Sequence, residues 1–133
     1  RILLERLEKC FQNNDSIVLE STISGNYHKR IISRAKKEKY KIVFIYVFLL
    51  SVHQNLARIK QRVLLGGHNV PVSDVHRRYG RSLANFWDVI PMVSYWELYY
   101  NGEDSYEVIA RGSDEKLEIL NDDVYNRFKK EAK

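Results

Sequence analysis

The chain has 133 residues, a length that predicts one domain with a single modest core. Its apolar fraction of 44% and charged fraction of 29% are ordinary for a globular protein, and no repeats or low-complexity segments occur. The net charge of +5 indicates an anionic partner, namely a nucleotide, a nucleic acid or an acidic protein. A basic surface without such a partner explains the charge equally well.

Cysteine content and hydropathy bear on the compartment. The single cysteine, Cys10, excludes an internal disulfide, and no signal-peptide pattern is present, so a reducing, cytoplasmic location is expected. The longest apolar run, Ile42 to Leu50, is far shorter than the roughly 20 residues that a membrane span needs. No membrane partner is therefore expected.

The first half of the chain predicts helices that alternate with strands. Apolar residues recur at helical spacing in 1–13, in 27–39 and from about 52 to 65. Short apolar runs predict strands at 16–20 and 40–50. The second run is almost wholly β-branched or aromatic, which is typical of a strand buried on both faces, so we place it at the centre of a sheet.

The second half predicts a helix from Ser73, an aromatic core segment at 83–96, strands at 97–100 and 107–110, and a C-terminal helix at 122–133. This order of elements predicts a three-layer α/β fold with a mostly parallel sheet.

A polar segment, Glu20 to Gly25, follows the first predicted strand. Ligands of parallel α/β sheets bind just beyond the carboxyl ends of the strands, so the Glu20 carboxylate and the hydroxyls of Thr22 and Ser24 are candidate substrate ligands. The alternative is that Ser24 or a neighbour only caps the next helix.

Arginines surround a Gly66–Gly67 break between two predicted helices. Arg78 and Arg81 lie on one side of the second helix, and Arg62 lies on the first. Guanidinium groups bind phosphate through charge-assisted hydrogen bonds, and a mobile arginine often neutralises a transferring phosphoryl group. The alternative is a surface helix whose arginines pair with nearby aspartates. His68 is a candidate contact to substrate or phosphate, or else a residue that only holds the loop.

A basic face on the predicted helix at 27–39 is the main argument for a nucleic-acid partner. A charge run on a helix is usually a solvated face, so nucleic-acid binding is not expected. The four histidines lack metal-ligand spacing, and no metal site is predicted.

The arginine segment also carries a family resemblance. The pattern R-V-x-x-G-G-H-x-V-P, followed by R-R-Y-x-R-S-L-x-N, resembles the lid of the zeta-toxin-like P-loop kinases. Leu19 to Gly25 similarly resembles that family's L-E-[ST]-T-x-S-G segment. The resemblance extends from about Ser16 to Asn101. Its lid residues are Arg62, Val63, Gly66, Gly67, His68, Val70, Pro71, Arg77, Arg78, Tyr79, Arg81, Ser82, Leu83 and Asn85.

The resemblance implies a P-loop NTPase-like domain over 1–133, with a helical lid at about 62–87. It implies phosphorylation of a small molecule, such as a nucleotide sugar, with ATP and Mg²⁺ as cofactors. The toxin branch adds an antitoxin protein as a candidate partner. By resemblance, the substrate ligands are Glu20, Thr22, Ser24 and His68, the catalytic cations are Arg78, Arg81 and Arg62, and Asn101 binds the nucleotide.

The phosphate-binding motif G-x-x-x-x-G-K-[ST] does not occur in these residues. The chain therefore resembles the C-terminal part of such a kinase, without the N-terminal strand and phosphate loop, and is expected to be inactive alone. One alternative is a non-catalytic remnant that binds a protein or forms a homo-oligomer through exposed sheet edges. Another is a basic nucleic-acid binder, whose affinity would fall steeply with salt.

Overall fold

The computed structural model describes residues 2–49, 60–61, 63–66, 72–102 and 105–131. Residues 60–61 and 63–64 are helical, and a 3-10 turn lies at Ile90–Met92. The helices with complete bounds are α1 (Ile2–Gln12), α2 (Tyr27–Lys37), α3 (Val72–Val89) and α4 (Asp122–Glu131). The strands are β1 (Val43–Phe48), β2 (Tyr95–Asn101), β3 (Tyr106–Ser113) and β4 (Leu117–Ile119).

The described strands form one sheet in the order β1-β2-β3-β4. β1 pairs with β2 in parallel, from Val43 opposite Tyr95 to Phe48 opposite Tyr100. β3 is antiparallel to both β2 and β4. β1 therefore lies at one edge of the sheet, and the carboxyl ends of β1 and β2 lie side by side.

The core lies on one face of the sheet, beneath α3 and α4. β1 directs Phe44, Tyr46 and Phe48 to this face. The ring centroids of Tyr46 and Phe86 are 5.2 Å apart, and those of Phe48 and Phe128 are 4.6 Å apart. Phe86 and Phe128 are fully buried, so these ring contacts attach both helices to the edge strand.

The opposite face of β1 is open. Val43, Ile45 and Val47 alternate with the core residues and are 52%, 49% and 46% exposed. On this face of β2, the Tyr95 hydroxyl donates a hydrogen bond of 2.7 Å to the Glu97 carboxylate. Within the described residues, the sheet thus has one face packed by helices and one that meets solvent.

Helix α1 is attached through α2. The Arg34 guanidinium donates to the Glu8 carboxylate at 2.6 Å and lies 5.1 Å from the centroid of the Phe11 ring. Phe11 also meets the ring of Tyr40 edge-on at 5.3 Å. Because α2 contributes Ile32 to the core, these contacts link α1 to the sheet.

The predicted three-layer, mostly parallel P-loop sheet is wrong. The described sheet is mixed, with one parallel pair and two antiparallel pairs. The physical reason is the short connection between β2 and β3, in which the Gly102 N–H donates to the Ser105 carbonyl at 3.0 Å. A tight turn joins antiparallel neighbours, whereas a parallel neighbour needs a crossover of about a dozen residues or more.

Three local predictions also need correction. The strand predicted at the centre of the sheet lies at an edge of the described sheet, because β2 is the one described strand that pairs with it. The predicted strand at 16–20 is not a strand, and Val18 is 96% exposed. Leu64, one of the regularly spaced apolar residues that predict a helix with a buried face at 52–65, is exposed.

Other predictions are confirmed. The helices at α1, α2, α3 and α4 and the strands β2 and β3 occur close to their expected positions. The aromatic segment supplies the core, including Phe86, Val89 and Trp96. β4 was not predicted, since its three residues show no distinctive pattern. Most of the predicted helix at 52–65 lies outside the described residues.

Candidate functional site

The candidate site lies at the carboxyl edge of the parallel pair. β1 ends at Phe48, next to Tyr100, so Asn101 at the end of β2 lies at the same edge. The Tyr79 hydroxyl on α3 donates to the carbonyl of Leu49 at 2.9 Å. This bond fixes the N-terminal half of α3 over the edge, where ligands of parallel strands bind.

Helix α3 also holds the polar loop 20–25. The Ser82 hydroxyl donates to the carbonyl of Thr22 at 2.7 Å. One turn further, the Asn85 amide donates to the carbonyls of Ile23 at 2.5 Å and Gly25 at 3.0 Å. Two side chains of one helix thus bind three backbone carbonyls of a loop about 60 residues away in sequence.

The loop has an unusual backbone at its centre. Ile23 has φ 48, a left-handed conformation that costs a β-branched residue about 1–3 kcal/mol. Its side chain is buried, and its N–H donates to Ser21 Oγ at 3.0 Å. The contacts to α3 and the burial of Ile23 together offset this strain, which is typical of a functional loop.

The outward side chains of the loop are polar. The hydroxyls of Thr22 and Ser24 lie 2.9 Å apart, and Glu20 and Thr22 are exposed. Because the carbonyls of Thr22, Ile23 and Gly25 are bound to α3, the hydroxyls and the carboxylate are the loop groups best able to contact a ligand. They suit a polar molecule with several hydroxyl groups.

Arg78 and Arg81 are exposed on α3, the helix that holds this loop. Arg78 lies one helical turn before Ser82, and Arg81 lies one turn before Asn85, so each shares a side of the helix with a loop-binding residue. Neither arginine forms an ion pair or hydrogen bond within the described part of the chain. Exposed guanidinium groups of this kind can bind an anion through charge-assisted hydrogen bonds.

The structure brings together part of the predicted site. Glu20, Thr22 and Ser24 lie in the loop held by α3, and that helix carries Arg78 and Arg81. Asn101 is half-buried at the end of the neighbouring strand. Arg62 and His68 lie outside the described residues.

The residues that hold the site together were not predicted from the sequence. Tyr79, Ser82 and Asn85 belong to the motif that carries the resemblance but received no role. Their spacing of three places them along one side of α3, which is the signal that could have identified them. Tyr46 was assigned to a strand alone, yet its hydroxyl lies 2.6 Å from Ser82 Oγ.

Charge elsewhere on the surface is partly paired. On α2, Lys29 forms an ion pair with Asp88 at 3.1 Å, and Arg34 pairs with Glu8. The bond from Arg34 lowers the pKa of the Glu8 carboxyl. These pairs reduce the charge that the basic face of α2 offers to a nucleic acid.

Three further observations concern metal sites, cavities and membrane spans in the described residues. Within the described ranges, no cluster of His, Cys, Asp and Glu side chains suits a metal ion. An open cavity of about 170 Å³ lies at the amino ends of β1 and β2, beside Ile42 and Ser94. In the same part of the chain, no helix is long and apolar enough to cross a membrane.

Comparison with known proteins gives one relative of unknown function. No protein-family model matches the sequence, and no solved structure matches it significantly. An uncharacterized protein of Haemophilus influenzae is 39% identical over 61 residues, which is 46% of this chain and 44% of that protein. This chain thus covers less than half of that relative. The resemblance to the zeta-toxin-like kinases stays a prediction.

Proposed function

We propose that the chain binds a phosphate-bearing small molecule at the carboxyl edge of β1 and β2, as part of a phosphoryl-transfer site. Loop 20–25 contacts the polar body of the molecule, and Arg78 and Arg81 bind its phosphate groups. The observation that carries this proposal is the attachment of the loop to α3 by Ser82 and Asn85.

The chemistry of the two parts supports the proposal. A guanidinium presents a planar set of donors that matches two phosphate oxygens and keeps its charge at every physiological pH. Hydroxyl groups at Thr22 and Ser24 can both donate and accept, as the hydroxyls of a sugar require. Positioning of the reacting groups and neutralisation of charge on the transferring phosphoryl group account for most of the catalysis in phosphoryl transfer.

The cofactors of the reaction come from the resemblance. ATP with Mg²⁺ is the expected phosphate donor, and a nucleotide sugar is the expected class of acceptor. The chain lacks the motif G-x-x-x-x-G-K-[ST], which supplies the phosphate cradle and the Mg²⁺-binding hydroxyl. We therefore expect these 133 residues to bind phosphates without turning over ATP.

Isothermal titration calorimetry with pyrophosphate, ATP and a UDP-sugar tests the proposal. Wild type should bind at least one of these, and Arg78→Gln or Arg81→Gln should each weaken binding by about tenfold, because each removes a charged hydrogen bond. Lys116→Gln is the matched control, since Lys116 lies in the exposed turn at the opposite edge of the sheet. Equal losses in all three variants would indicate attraction by net charge alone.

Variants of α2 distinguish a nucleic-acid partner from the proposed phosphate-bearing ligand. Binding of single-stranded DNA should show a steep dependence on salt and should weaken on changing the cations of α2, such as Lys36 and Lys37. Under the proposed function, those changes leave pyrophosphate affinity unaltered.

A second candidate function is association through the free edge of β1. The strand has no Gly, Pro or charged residue between Val43 and Phe48, although natural edge strands usually carry such protection. Sedimentation velocity should then show self-association that Ile45→Lys abolishes. Leu117→Lys, an exposed apolar residue on the other edge strand, is the control. A wild-type chain that is monomeric at high concentration would exclude association between copies.

A further inference from the structure

Three backbone carbonyls of loop 20–25 accept hydrogen bonds from helix α3. Ser82 donates to the carbonyl of Thr22, and Asn85 donates to the carbonyls of Ile23 and Gly25. The Ser82 hydroxyl has one proton and donates it to Thr22, so the Tyr46 hydroxyl, 2.6 Å away, must donate to Ser82. A continuous chain of hydrogen bonds therefore runs from β1 through α3 to the loop.

The same helix carries the arginines. Arg78 and Ser82 are one turn apart, as are Arg81 and Asn85, and α3 is continuous through all four. A rigid helix keeps the Cα atoms of these four residues at fixed separations. The loop therefore stays within reach of the two arginine side chains for as long as Ser82 and Asn85 hold it.

We infer that Ser82 and Asn85 are positioning residues, which set the hydroxyls of loop 20–25 at a fixed place relative to Arg78 and Arg81. This inference rests on the proposed function. Neither residue touches the ligand. Each acts by holding Ile23 in its left-handed conformation, so that Thr22 and Ser24 face outward beside the arginines. Recognition of a phosphorylated molecule requires the loop hydroxyls and the arginines to contact it together, because small displacements of either group reduce affinity strongly in such sites.

The test compares variants that remove the donors with one that keeps a donor. Ser82→Ala and Asn85→Leu remove the hydrogen bonds without adding charge, and Ser82→Thr retains a hydroxyl. The probe is the phosphorylated compound that wild type binds most tightly among pyrophosphate, ATP and the UDP-sugar. Affinity should fall by about tenfold to a hundredfold in the first two variants and return in Ser82→Thr.

Two further measurements separate positioning from general folding. Amide hydrogen exchange should become faster in 20–25 of Ser82→Ala, while exchange in β2 and α4 stays at the wild-type rate. A double-mutant cycle should show that Arg81→Gln weakens binding less in the Ser82→Ala background than in wild type. A role in stability alone would leave the two substitutions additive.

The outcomes are distinguishable. If wild type binds none of the probes, the proposed function fails and the inference fails with it. If wild type binds and Ser82→Ala binds equally well with a faster-exchanging loop, only the positioning role is overturned. If Asn85→Leu does not fold, the comparison of Ser82→Ala with Ser82→Thr decides the question alone.

Discussion

The hydroxyl oxygens of Tyr46 and Ser82 lie 2.6 Å apart, across the interface between the edge strand and helix α3. Burial raises the pKa of Tyr46 to about 12, so this phenol keeps its proton at neutral pH and can donate it. The bond joins the core face of β1 to the helix that carries the arginines. Packing of the core and geometry of the candidate site are therefore linked at one contact.

Removal of the Tyr46 hydroxyl should destabilise the protein modestly. Tyr46→Phe keeps the ring that packs on Phe86 and loses one hydrogen bond, so the free energy of unfolding should fall by about 1 kcal/mol. Urea denaturation measures the change. Tyr106→Phe is the control, because the Tyr106 side chain is largely exposed. Equal stability of the two variants would contradict a contribution from the buried bond.

Two glycines should respond to alanine in opposite directions. A Cβ on Gly112 would lie 2.7 Å from Cε2 and Nε1 of the buried Trp96 indole, so Gly112→Ala should lower the free energy of unfolding by about 1–3 kcal/mol. Gly80 lies within α3 with open space around it, so Gly80→Ala should raise the free energy by about 0.5–1 kcal/mol. Thermal denaturation of both variants checks the pair. A Gly112→Ala variant as stable as wild type would refute the close packing of Trp96 on Gly112, and a destabilised Gly80→Ala would refute the open space at Gly80.

His28 should make stability depend on pH. Its ring is buried, and neither nitrogen has a hydrogen-bond partner among the described residues. Burial, with a smaller effect of Lys29, lowers the pKa of His28, while Asp88 opposes the shift. The unfolded imidazole therefore takes a proton at a higher pH than the folded one, so stability is full above about pH 6.5 and decreases as pH falls below it.

Replacement of this histidine should remove that dependence. His28→Leu should raise the free energy of unfolding by about 1 kcal/mol, because it eliminates two unsatisfied buried nitrogens. It should also reduce the loss of stability between about pH 7.5 and about pH 5.5. Urea denaturation at both pH values, with the exposed His76→Gln as control, measures this. If the free energy of unfolding of His28→Leu changed with pH as much as that of wild type, titratable groups other than His28 would cause the dependence.

The ion pair between Arg34 and Glu8 should be visible in a titration. Hydrogen bonds from Arg34 lower the pKa of Glu8. The pair therefore stabilises the fold at pH values above the ordinary glutamate pKa, and this stabilisation is lost as pH falls through the lowered pKa of Glu8. Arg34→Met should move the midpoint of Glu8 upward in an NMR titration. A midpoint that does not move would mean that the pair is not formed in solution.

Local pattern was sufficient to predict most of the helices and the identity of the core. The spacing of Leu7 and Phe11 in α1, and the aromatic density around Phe86 and Trp96, are properties of neighbouring residues. Their consequences require no knowledge of distant parts of the chain. The polar loop and the exposed arginines could be identified for the same reason, since each is a contiguous segment.

The polar loop and the arginines could be predicted only as two separate parts of a site. Ser82 and Thr22 are 60 residues apart, and no periodicity links a hydroxyl on a helix with a carbonyl in a loop. Gly80 and Gly112 are the same residue type, yet the tertiary contacts of Trp96 give only one of them a packing role.

By itself, the sequence determined which segments are helical, which side chains are apolar enough to form a core, and which segments present hydroxyl and guanidinium groups. Only the tertiary structure decided that β1 lies at an edge, that β3 runs antiparallel to β2, and that α3 carries both the arginines and the anchors of the loop. The reason is that burial preference is a property of each residue, whereas strand order and hydrogen-bond partners depend on which distant segments meet. A continuous apolar run such as that of β1 indicates that burial is favourable, but it does not specify which strands pair with it.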